Sequence, residues 1–129
     1  MTQSKMKIAV TAAGPSIGAQ MDPRFGRCLY FVIVKTDDMT FDTLENPAGA
    51  LGGGAGIQAG KLMADKGVKT VLTGNVGPNA HETLTTAGID VIVGCSGTVR
   101  EAVERFKQGG LVPSSAPTVE SHSGMGNRK

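Results

Sequence analysis

Cysteine is scarce in this chain. Cys28 and Cys95 are the two thiols in 129 residues, too few for a disulfide framework, and in a reducing compartment they read as free thiols or as ligands. Net charge is small, +2 at pH 7, which gives no argument for nucleic acid as a partner. Long apolar runs are missing too, with nothing near the eighteen or so residues of a membrane span. The opening MTQSKMKIAVTAAGPS holds an apolar segment of only about seven residues and no convincing cleavage site, short for a secretory signal, so the expected location is the cytoplasm. Several chemistries lack their residues. There is no Ser/His/Asp set and no HExxH, and KIAVTA and VKTVLTG carry none of the carboxylates that a two-metal nuclease site would place on central strands.

Glycine is what the chain has in quantity, 19 residues lying mainly between apolar runs, where it permits backbone that other residues do not adopt. The length suits one domain with a single core. KIAVTA, from Lys7 to Ala12, is a short apolar run of the kind found in a central buried strand. CLYFVIVKT, from Cys28 to Thr36, is β-branched and aromatic, and Asp37-Asp38 turns it into MTFDTLEN, an alternating edge partner. The charges of Asp42 and Glu45 guard that edge against pairing. GALGGGAG, Gly49 to Gly56, reads as a loop.

Beyond it Ala55, Ala59, Leu62 and Met63 share one helical face, with Gly67 as the stop. VKTVLTG reads as a strand. Gly77-Pro78 opens a second helix whose face carries Ala80, Leu84 and Ala87 before Gly88. IDVIVG is a further strand. Thr98-Val-Arg-Glu101 is a capping box, and Val99, Ala102, Val103 and Phe106 form the stripe of a third helix ending at Gly109. The remainder, residues 111–129, is rich in Pro, Ser and Gly without periodicity and is expected to be a disordered tail.

The order β-β-β-α-β-α-β-α predicts an α/β domain with a mixed sheet. Followed strand by strand, it brings four connections to one rim: Ala13 to Arg27, Asn46 to Gly56, Gly74 to Asn79 and Gly94 to Gly97. Open α/β sheets bind ligands beyond the carboxyl ends of their parallel strands. Three helix N-termini reach the same rim with unpaired amides and partial positive charge, and Arg24 and Arg27 add two cations, so an anionic ligand is expected. The candidate contacts are Met21, Arg24, Phe25, Gly26 and Arg27, then Gly53, Gly54 and Gly56, then Asn75, Gly77 and Asn79, then Ser96 and Gly97. Met21 and Phe25 would supply soft, polarisable surface.

Each candidate has a plainer reading. Arg24 pairs either with a ligand or with Asp22, pinning the loop. Asn75 and Asn79 either touch a ligand or cap the turn at Gly77-Pro78. Cys28 and Cys95 are either small buried hydrophobes or metal ligands whose pKa is lowered by the arginines near Cys28 and by the helix start after Cys95. His81 is a ligand, a donor or a surface histidine, and His122 and Met125 read as incidental. Ala55-Gly-Ile-Gln-Ala-Gly60-Lys61-Leu62 mimics a phosphate loop but lacks its first glycine and the Ser or Thr that would hold magnesium. The spacing of Gly54, Gly56 and Gly60 is only loosely dinucleotide-like.

MDPRFGRCLYFVIV, GGGAGIQAG, TGNVGPNAHETLTTAGIDV and CSGTVREAV together resemble the dinitrogenase iron-molybdenum cofactor biosynthesis (NifX-like) family, from Lys5 to Gly110. DPRFGR and GGGAGIQA are most similar to its orange protein branch. The resemblance implies a ribonuclease-H-like three-layer α/β/α sandwich with a five-stranded sheet in the order 3-2-1-4-5, strand two antiparallel. It also implies a non-enzymatic carrier of an anionic metal-sulfur cluster: a molybdenum-copper sulfide cluster or a related molybdenum or iron-sulfur precursor. Partner proteins for cluster delivery or signalling follow from that role; nucleic acid and membrane do not. Two other readings stay open, a regulatory module for a phosphate-bearing small molecule and a protein-interaction domain with a vestigial pocket.

Overall fold

The computed structural model describes residues 6–46, 55–109 and 111. Its elements are β1 (Lys7–Ala12), β2 (Tyr30–Lys35), β3 (Phe41–Glu45), α1 (Ala55–Asp65), β4 (Thr70–Leu72), α2 (Pro78–Thr86), β5 (Asp90–Ile92) and α3 (Val99–Lys107). The five strands form one sheet in the order β3-β2-β1-β4-β5. β2 runs antiparallel to β1 and β3, while β4 and β5 run parallel to β1. Fold class, strand order and the direction of strand two are those expected from the sequence.

Alternation along the strands sorts side chains into two cores. Ala9, Phe31, Ile33, Val71 and Val91 face one way and pack with Ala59 and Met63 of α1 and Ala80 and Leu84 of α2. Ile8, Val10, Val32, Val34, Leu72 and Ile92 face the other way, onto Val99, Ala102 and Val103 of α3. β1 is buried at every position but its first, as a strand covered on both faces should be.

The helices start and stop where their end signals lie. α3 begins at a complete capping box between Thr98 and Glu101, and α2 has Pro at its first turn. α1 and α2 end in the same way: Val68 N donates to Met63 O at 3.1 Å and Ile89 N to Leu84 O at 3.0 Å, each beyond a glycine of positive φ. These are Schellman closures, and Val68 and Ile89, both buried, tuck into the core beside them. Ala87 departs from expectation, being the exposed C-cap of α2 rather than part of its buried face.

Gly56 and Gly60 lie one turn apart in α1 and face α2. A Cβ on Gly56 would come within 2.9 Å of Ala80 Cβ, and one on Gly60 within 2.7 Å of Thr83 Cγ2. The spacing that mimics a phosphate loop is therefore a close-packing stripe between two helices. Gly53, Gly54 and residues 112–129 lie outside the described residues, whereas Leu111, expected to begin the tail, packs against the core beneath α3. Among the described residues no helix is long and apolar enough to cross a membrane.

The capping box makes a simple stability prediction. Thr98→Ala should lower unfolding free energy by about 1 kcal/mol, read from denaturant melts.

Candidate functional site

The site begins with two threonines at the ends of adjacent parallel strands. The buried Thr11 hydroxyl lies 2.6 Å from the Asp22 carbonyl oxygen and 2.9 Å from the Thr73 hydroxyl. With one proton to give, Thr11 donates to the carbonyl and accepts from Thr73. Asp22 N returns a bond to Thr11 O at 2.9 Å, Asn75 N donates to Pro23 O at 2.7 Å, and Phe25 N donates to Asn75 O at 3.2 Å. Asn46 Nδ2 reaches Gly26 O at 3.0 Å and Cys28 O at 2.9 Å. The segment from Asp22 to Cys28 is thereby laid across the carboxyl ends of β1 and β4 and tied down on both sides.

Two glycines make that crossing possible. A Cβ on Gly74 would stand 2.8 Å from Pro23 Cα, and Gly26, at φ 93°, approaches the backbone of Gly56 so closely that a Cβ would lie 3.0 Å from its Cα. The first loop thus abuts the N-terminus of α1, and Gly56 in turn abuts α2.

The structure brings most of the expected residues to this rim, in different states. Arg24, Arg27, Asn75, Asn79 and Ser96 are exposed, and Met21, Gly56, Gly77, His81 and Gly97 are partly buried. Phe25 is a correction: only 7% exposed, its ring packs 5.6 Å from that of Phe31 in the core, so it anchors the loop and offers a ligand no soft face. The asparagines do not cap α2, whose N-cap is Gly77 with no side-chain hydrogen bond. Asn75 acts through its backbone, bonded to Pro23 and Phe25.

Not all three helix N-termini are available to an anion. At α3 the amides of Val99 and Arg100 donate to the carbonyls of Ala19 and Ile17, and that of Glu101 to Thr98 Oγ1. The Glu101 carboxylate closes this end by accepting from Thr98 N at 2.9 Å and sits against Gly97. This places a negative charge beside Ser96 and Gly97, which weakens the expectation that they meet an anion. The capping box was visible in the sequence; its occupation of the third N-terminus was the consequence missed. The first turns of α1 and α2 carry no acidic side chain.

The thiols also depart from expectation. Cys28 lies in the core beneath α1 and α2 and Cys95 in the core beneath α3, so the sheet separates them and they cannot share a metal ion. Both are buried, and burial pushes both pKa values up rather than down, Cys28 to about 12 with the Asp22 carboxylate adding to the rise. At Cys95 the nearby Arg105 opposes the rise without reversing it, and Arg24 is turned to Asp22. His81 stands in the first turn of α2, its amide donating to Gly77 O at 2.9 Å. Among the described residues no group of three or more His, Cys, Asp or Glu side chains could hold a metal ion.

Of the two readings of Arg24, the pairing with Asp22 is present. Its Nε donates to Asp22 Oδ1 at 3.0 Å and its Nη2 to Oδ2 at 3.1 Å, yet its side chain is 60% exposed. Arg27 pairs with no carboxylate among the described residues. Thr11, Thr73 and Asn46, which tie the loop down, were read as ordinary strand or loop residues; threonines ending two neighbouring apolar runs were the available signal. Two adjoining cavities of about 320 and 200 Å³ lie elsewhere, beside β3, where Asp42 sits among Lys7, Lys35 and Lys66.

Comparison with known proteins finds relatives of the same fold. The model of the family described as dinitrogenase iron-molybdenum cofactor matches residues 6–109. The apo form of the orange protein of Desulfovibrio gigas superposes with a TM-score of 0.86 at 42% identity, over 88% of this chain and 97% of that one. A Thermotoga protein of the DUF35 family superposes at 0.73 with 33% identity, over 84% and 92%. An uncharacterised protein of Methanocaldococcus jannaschii is 31% identical over 109 residues, 82% of this chain and 89% of that one.

Two outcomes follow from the loop and the thiols. Gly74→Ala should cost about 1–3 kcal/mol, measured by thermal or chemical unfolding, because the new methyl meets the Pro23 backbone. For Cys28 the folded pKa of about 12 exceeds the ordinary value of 9.0. Its contribution to stability is therefore full below pH 9 and is lost as pH rises toward 12. Cys28→Ala should flatten that alkaline decline, and the wild-type thiol should react slowly with alkylating reagents at pH 8.

Proposed function

The chain belongs to the dinitrogenase iron-molybdenum cofactor family, and from that premise we propose that it is a non-enzymatic carrier of an anionic metal-sulfur cluster held at the loop-bearing rim of the sheet. The observation that carries the reading is the pinned segment Asp22 to Cys28. It sets Arg24 and Arg27 beside the N-termini of α1 and α2, whose first turns hold no acidic side chain. Such a rim suits a bulky anion with soft faces: cationic donors and helix amides act by charge and shape, without a cage of protein thiolates. The likeness to the orange protein, solved in an apo form, supports a molybdenum-copper sulfide cluster or a molybdenum-containing precursor as the cargo.

On this reading the ligand contacts are Arg24, Arg27, the backbone near Gly77 and Asn79, and the exposed edges of Met21 and Asn75, together with Gly53 and Gly54. Cys28 and Cys95 serve as core residues and not as ligands. A carrier of this kind works with proteins that supply or receive the cluster, and cytoplasmic placement fits the reduced thiols.

Anaerobic titration of the purified protein with tetrathiomolybdate, with and without copper(I), tests the proposal through visible absorption and metal retained after gel filtration. Stoichiometric, sulfide-dependent retention is expected, with molybdate and phosphate failing to compete. Arg27→Ala should weaken retention about tenfold, the scale of one charged hydrogen bond, while Cys28→Ala should leave it unchanged. Metal eluting free of protein would overturn the carrier reading, and tight binding of phosphate esters instead would favour a regulatory small-molecule module.

A further inference from the structure

Asp22 is buried, with its side chain only 7% exposed, at the mouth of a rim that on the reading above attracts anions. A carboxylate there opposes that attraction, and simple charge counting would have it removed. Its surroundings give it another task. Its backbone is bonded on both sides to Thr11, through Asp22 N to Thr11 O and Thr11 Oγ1 to Asp22 O. Its Oδ1 accepts from Arg24 N and Nε, both at 3.0 Å, and its Oδ2 from Arg24 Nη2 at 3.1 Å. The carboxylate is thus fixed to the end of β1, and the guanidinium is fixed to the carboxylate.

A guanidinium has five N–H donors in one plane. Asp22 takes two of them along the Nε–Nη2 edge. The remaining three, two on Nη1 and one on Nη2, lie on the other edges, and no described residue accepts from them. We infer that Asp22 is a positioning residue, whose carboxylate presents the Nη1–Nη2 fork of Arg24 outward to receive one edge of a tetrahedral thiometalate unit. The inference rests on the carrier reading and adds to it the group that aims its arginine. A long cationic side chain left in water would sample many rotamers and lose that freedom on binding. Holding it in advance removes part of this entropic cost.

Charge and aim predict opposite signs. If Asp22 only opposes the ligand's charge, Asp22→Asn tightens tetrathiomolybdate binding. If it aims Arg24, Asp22→Asn weakens binding by about tenfold, the scale of one oriented charged hydrogen bond. In an Arg24→Ala background the same change should then have no further weakening effect. Arg24→Lys keeps the charge and loses the fork, and since the side chain is largely exposed the fold should tolerate it; a similar tenfold loss is expected. The clamp is also visible without ligand: the Arg24 Nε–H resonance should be protected from exchange in the wild type and lose protection in Asp22→Asn.

Unweakened binding in Asp22→Asn or in Arg24→Lys would overturn the positioning role, as would fully additive losses in the double variant. An unprotected Nε–H in the wild type overturns the clamp whatever the protein binds. A protected Nε–H in a protein that retains no thiomolybdate overturns the carrier reading, and with it the ligand the fork would receive.

Discussion

The hydroxyl of Thr11 is where the sheet and the rim are joined. It lies inside the protein, at the carboxyl end of the central strand, and it couples the Asp22 carbonyl to the Thr73 hydroxyl on the neighbouring strand. A buried hydroxyl without partners is costly, and here each partner satisfies another. From that junction the chain crosses over Gly74, drops Phe25 into the core against Phe31 and returns to β2 with its carbonyls held by Asn46. The exposed arginines are side chains of this crossing, so their positions inherit the rigidity of two buried strands.

The same economy governs the helices around the rim. α3 spends its N-terminal amides on Ala19, Ile17 and its own capping threonine, which fastens the first part of the β1–β2 connection and leaves nothing there for an anion. α1 and α2 come together through Gly56 and Gly60, so the two N-termini that remain lie side by side, next to the arginine loop. One helix thus secures the connection and two bring their N-termini to the rim beside the arginine loop, an unequal division of three similar elements. The two thiols fall on opposite sides of this arrangement, each enclosed by a different core, where burial favours the neutral form.

Much of this was legible along the chain. Apolar runs such as KIAVTA and LYFVIV, the Pro78 start, the Thr98 capping box and the glycines at 67, 88 and 109 are local signals, read over a few residues by backbone sterics and hydrogen bonding. With the element order they also place the four connections on one rim, since a strand followed by a crossover helix and a parallel strand leaves little choice of direction. The side-chain environments were not legible in this way. Phe25 and Arg24 are adjacent, yet one is core and the other is exposed, because the pinned turn points them apart. The Cys28 pKa was expected to be lowered by arginine, but burial raises it and the Asp22 carboxylate, which holds Arg24, adds to the rise.

Sequence by itself determined the elements, their order and the family of folds they make, because those follow from local periodicity, end signals and chain direction. Tertiary structure alone decided which rim groups stay available. That outcome depends on contacts between segments far apart in the chain, Thr11 with Thr73, Gly74 with Pro23, Val99 with Ala19. A hydrogen-bond donor that finds a partner in the fold is no longer free for a ligand, and periodicity does not reveal which donors find one.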